Sequence, residues 1–153
     1  MTDHEDFDSA IVLMLALLDV RPRLSSPRAV QELREHLRTP NRQAALFVLL
    51  IVDVTVVCQL IPELFTALLR PRDTELVRGI LGRLPREVRQ PLIHSEVAHR
   101  LATADDDEFR RIAELLYHLG QNDDLRNLVV QALAHSDPNI REVGEDFDFA
   151  KLA

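Results

Sequence analysis

Tryptophan is absent from the 153-residue chain, and tyrosine and cysteine occur once each. The lone thiol, Cys58, has no partner for an internal disulfide, which favours a reducing, cytoplasmic setting. Its apolar neighbours mark it as a core thiol rather than an activated nucleophile. Glycine is nearly as scarce: Gly79, Gly82, Gly120 and Gly144 have neither spacing of a phosphate-cradling loop, and so few turn residues argue against a β-rich fold. Long hydrophobic runs are missing too. The stretch 10–18 follows Asp3, Glu5, Asp6 and Asp8 rather than the positive charge of a signal peptide, and 44–52 ends at Asp53, well short of the roughly 20 apolar residues of a membrane span. Positive charge is not in excess: the net charge of −7 opposes general phosphate neutralisation and argues against nucleic acid as the partner.

What is present is 46% apolar and 28% charged, a balance that suits packed helices in one soluble domain spanning 1–153. Leucines at 37, 69, 101 and 133 recur every 32 residues. Four residues before them stand Leu33, Phe65, Val97 and Val129, and eight before them Ala29, Ile61, Ile93 and Leu125. Steps of four return to nearly the same side of a helix, so the three columns define one apolar face.

Four residues after the leucines come Asn41, Asp73, Asp105 and Asp137, with Ser9 one period earlier. Each side chain can accept from the unpaired N–H groups of a starting helix. The apolar columns of that second helix follow in register: Leu13, Ala45, Val77 and Phe109; Ala16, Val48, Ile80 and Ile112; Leu17, Leu49, Leu81 and Ala113; Val20, Val52, Leu84 and Leu116. Arg141, Gly144, Glu145 and Asp148 take these places in the last copy, giving a polar final helix suited to the end of a stack.

The expected fold is therefore all-α: a right-handed α-solenoid of about four helix pairs with a 32-residue period and an extra N-terminal helix. The lone helix covers 9–20. The pairs occupy about 27–57, 61–84, 92–119 and 124–149, with first helices at 27–38, 61–70, 92–103 and 124–135 and second helices at 41–57, 73–84, 106–119 and 138–149. Pro27, Pro62, Pro85 and Pro91 fall at or near helix ends, where proline is tolerated. One pair buries too little apolar surface to offset its own ordering entropy, so stacking is required.

The runs Asp105-Asp106-Asp107-Glu108-Phe109-Arg110-Arg111-Ile112-Ala113-Glu114-Leu115-Leu116 and Ser136-Asp137-Pro138-Asn139-Ile140-Arg141-Glu142-Val143 resemble HEAT and HEAT-like repeats of the armadillo-type group. In such repeats a turn aspartate precedes an arginine early in the second helix, and the two form a ladder across neighbouring units. Asp73 with Arg78, Asp105 with Arg110 and Asp137 with Arg141 match that role. Leu46 and Met14 replace the arginine in the first two units, and the usual proline within the first helix is mostly absent. The resemblance covers nearly the whole chain and implies a binding scaffold rather than an enzyme.

No side-chain set points to catalysis, a metal or a cofactor. His94 and His99 are five apart and face different ways, whereas a helical metal pair needs an i, i+4 step. The acidic run 105–108 suits a helix start, and no serine stands in a nucleophile elbow. The expected function is non-enzymatic binding of a protein partner, or of a second copy through an edge repeat. The candidate contacts are Arg78, Arg83, Arg86, Arg89, Arg110, Arg111 and Tyr117, with Phe147 and Phe149 as a docking motif or as residues that close the stack. Rival readings are a HEAT-like nucleic-acid-binding or base-excision protein, a tetrapyrrole lyase or chaperone, and an immunity protein whose acidic face masks a basic effector.

Overall fold

Side-chain caps and apolar spacing set most of the helix boundaries in the computed structural model, which describes residues 21–40 and 42–148. Among the described residues the chain is all-α: a short 3₁₀ segment, Arg21–Ser25, precedes nine α-helices. The helices fall into two compact units that divide between Leu60 and Ile61. The expected helix 9–20 and the caps Ser9 and Asn41 lie outside the described residues.

In the first unit, α1 (Pro27–Leu37) starts where Ser26 Oγ accepts from the Ala29 N–H at 3.2 Å, with Pro27 at its first position. Val30, Leu33 and Leu37 form its buried stripe, and it packs on α2 (Arg42–Leu49), which buries Ala45, Leu46 and Leu49. The single helix expected over 41–57 is broken: the chain tightens after Leu49, and α3 (Val54–Cys58) starts anew. Asp53 makes the break, its Oδ1 accepting from the N–H and hydroxyl of Thr55 at 3.0 and 2.9 Å. The β-branched residues around it gain little from helix, so a local cap wins. Arg34 Nη2 donates to the Gln59 carbonyl at 3.0 Å, tying α1 to the end of α3.

The second unit holds α4 (Ile61–Leu68), α5 (Thr74–Gly82), α6 (Arg86–Leu101), α7 (Asp106–His118), α8 (Asn122–Leu133) and α9 (Pro138–Asp146). Helix α4 packs on α5 and on α6, α7 packs on α8 and α9, and α8 packs on α9. Its core is the expected set of columns: Ile61, Phe65, Ile93, Val97, Leu101, Leu125 and Val129 from one helix class, and Val77, Ile80, Leu81, Phe109, Ile112, Ala113 and Leu116 from the other, are all buried. Leu69 and Leu133 depart from their column, Leu69 half-buried and Leu133 40% exposed; α8 turns Leu128, Val129 and Ala132 inward instead.

Two helix starts and the buried face of the last helix differ from expectation. Helix α6 starts six residues early, after Pro85, and carries Pro91 in its interior. The backbone there forgoes one bond, but the flanking Arg, Glu, Gln and Leu are strong helix formers. Helix α8 starts at Asn122 rather than at 124, because α7 ends in a Schellman turn. Gly120, at φ 65°, donates to the Tyr117 carbonyl at 3.1 Å, and Gln121 donates to that of Leu116 at 3.0 Å. The last helix is less polar than its columns suggested. Its apolar face is shifted back one residue, so that Ile140 and Val143 are buried beside Gly144.

Of the expected caps, Asp105 accepts from the Glu108 N–H and Asp137 from the Asn139 N–H, both at 2.9 Å. Asp73 is fully buried but does not cap α5 with its side chain. Beside it the Thr74 hydroxyl reaches the Leu68 and Arg70 carbonyls at the end of α4.

Candidate functional site

Arginines with aliphatic stems and forked donors compete strongly for internal acceptors, and several expected to face a partner are already engaged. Arg78 on α5 donates to Glu75 at 2.9 Å and to Glu114 on α7 at 3.1 Å. One period later Arg110 on α7 donates to Asp146 on α9 at 2.7 Å. Each pair spans 36 residues, and the two are related by the 32-residue repeat. The Asp146 hydrogen bond pushes the Arg110 guanidinium further above its ordinary range.

These rungs correct the expected ladder. The arginines bond to carboxylates of the following second helix, while Asp105 and Asp137 cap their own helices. Arg141 donates instead to the His135 and Ser136 carbonyls. Arg111 shares Glu114 with Arg78, and Arg89 donates to the Leu119 carbonyl at the end of α7.

The other candidates are dispersed. Arg83 and Arg86 are exposed, Tyr117 is 62% exposed on α7, and Phe147 is half-buried at the end of α9. Phe149 lies outside the described residues. Arg86 lines a small polar cleft of about 150 Å³ with Gln90, Arg126 and the start of α8. A larger hollow of about 530 Å³ opens beside Arg100. That guanidinium is held by Glu96, Glu108, the Pro62 carbonyl and the Thr66 hydroxyl, with its Cζ 5.7 Å from the Phe65 ring centre.

One constellation escaped the sequence reading. His94 Nδ1 on α6 stands 2.6 Å from Oδ1 of Asp124 in the first turn of α8, and Gln121 Nε2 donates to Asp124 Oδ2 at 2.9 Å. Asp124 and Gln121 are buried while the imidazole is exposed. The signal was available: His94 follows Ile93 and Asp124 precedes Leu125, two members of one column 32 residues apart. The dyad borders a groove of about 260 Å³ between α6 and α8, floored by Val97, Leu101 and Leu128 and flanked by Val130. His99 faces the hollow beside Arg100 instead, which agrees with the expected divergence of the two histidines.

Among the described residues no group of three or more His, Cys, Asp or Glu side chains is gathered for a metal ion. No described helix is long and apolar enough to cross a membrane. Among the described residues the protein is all-α, and its second unit joins α5 to α7 and α7 to α9 through like ion pairs. Comparison with protein-family models, with curated proteins and with solved structures finds no match.

Proposed function

We propose that the chain is a non-enzymatic, cytoplasmic protein–protein interaction module of HEAT-like repeats, a single domain that binds a protein partner or a second copy through helical faces. Like-with-like contacts support the repeat reading: α4 meets α6, both first helices, and α7 meets α9, both second helices. The rungs Arg78–Glu114 and Arg110–Asp146 repeat with the same period, and Pro91 supplies a proline within a first helix. Helices α1 to α3 join the series through the sequence register of Leu33, Leu37, Ala45 and Leu49.

The observation that carries the function is the outward display of Tyr117, Val130 and Leu133, which are 62%, 66% and 40% exposed. Large apolar side chains held at water on regular helices are the usual anchors of a docking surface. The test is affinity purification of the tagged full chain at moderate salt, with light scattering on the pure protein. A stoichiometric protein complex or a dimer that is lost in Tyr117→Glu, at unchanged melting temperature, supports the reading. A monomer that recovers only nucleic acid or a chromophore overturns it.

A further inference from the structure

We infer that the groove between α6 and α8 receives a basic side chain, arginine or lysine, from a protein partner. This deepens the interaction reading and rests on it. The argument starts with Asp124, whose carboxylate is buried and accepts from Gln121 at one oxygen. An acceptor at both oxygens requires His94 Nδ1 to be the donor of the 2.6 Å bond. With Nδ1 as the donor, Nε2 is the acceptor nitrogen of the uncharged ring, and that ring is exposed.

Asn127 and Gln131 add side-chain amides to the same wall, and among the described residues no arginine or lysine lines the groove. A chain with a net charge of −7 therefore presents here a rim of one carboxylate, one imidazole and two amides, without a cation, above an apolar floor. Arginine and lysine match both parts, with a methylene stem for Val97, Leu101 and Val130 and a cationic head for the carboxylate-backed imidazole. An acidic side chain would meet the Asp124 charge, and a purely apolar one would leave the rim acceptors without donors.

The experiment titrates N-acetyl-arginine methylamide, and separately the norleucine and tyrosine analogues, into the ¹⁵N-labelled full chain at fixed pH and ionic strength. The arginine probe is expected to shift amides of 94–101 and 124–131 at lower concentration than either analogue. Asp124→Asn should weaken it about tenfold, the effect of losing a charge-assisted contact. Because Asp124→Asn also disturbs a buried network, Val130→Lys is the second variant: it changes an exposed residue and should block the probe with its own cation. Equal binding of the norleucine or tyrosine probe, shifts confined to other segments, or indifference to both variants overturns the inference. A partner complex that forms with unchanged affinity in Val130→Lys also overturns it, while leaving the interaction reading in place.

Discussion

Arg110 Nη1 lies 2.7 Å from Asp146 Oδ2, the relation that Arg78 holds to Glu114 at 3.1 Å one period earlier. The rungs are chemically alike but unequally sheltered. Arg78 is 17% exposed and Arg110 37%, and solvent screening reduces the value of the outer pair. Arg78→Ala should cost about 1.5 kcal/mol, in the range of hydrogen bonds to charged groups, and Arg110→Ala about 0.5 kcal/mol. Urea denaturation in low and in 1 M salt checks this: salt should erase most of the Arg110 effect and less of the Arg78 effect. Equal losses that ignore salt would count against the rungs as stabilising ion pairs.

Much of the second unit's core was legible because apolar columns depend only on helical geometry and spacing. Ile93, Leu125, Ile80 and Ile112 could be placed in the core by spacing alone. The rungs were half legible. Arg78 and Arg110 stood out, but their partners did not, since a turn aspartate is claimed first by the N–H groups next to it. Asp53 hid in an apolar run whose periodicity does not reveal that a two-residue cap can outbid a helix. The His94–Asp124 dyad links residues 30 apart, two short of the period, so a search for identical columns passes over it.

Removing the Asp53 cap should loosen α3 without unfolding the chain. Asp53→Ala is expected to destabilise by about 1 kcal/mol, as for N-caps generally. Hydrogen exchange should show faster amides at 54–58 and little change in α4 to α9. Slowed exchange, or fusion of α2 and α3 into one continuous helix, would refute the capping role.

Cys58 is half-buried rather than a core thiol, yet it should still be a slow nucleophile at neutral pH. Burial pushes its thiol pKa up; a backbone hydrogen bond offsets part of the rise, and the Asp53 charge adds a little to it. Because the folded value lies above the unfolded one, the thiol favours folding below the unfolded pKa. That contribution fades as pH rises through the folded value. Iodoacetamide labelling should lag behind free cysteine across pH 7–9, relative to an ordinary thiol pKa of about 8.5. Labelling as fast as the free amino acid would contradict the assignment.

Two glycines on second helices should respond oppositely to the same substitution. A Cβ on Gly144 would stand 2.9 Å from both Cγ and the backbone nitrogen of Leu133, and 3.1 Å from Ala132 Cβ. Since backbone cannot swing aside, Gly144→Ala must push α9 off α8 and should cost about 1–3 kcal/mol, the range for overpacking. A Cβ on Gly82, the last residue of α5, meets only Leu119 Cδ2 at 3.9 Å. Gly82→Ala should therefore gain about 0.5 kcal/mol from reduced backbone freedom in the unfolded chain. Thermal melts of the two variants beside the parent protein decide the matter. Stabilisation by Gly144→Ala would mean that α8 and α9 do not approach as closely as the glycine allows.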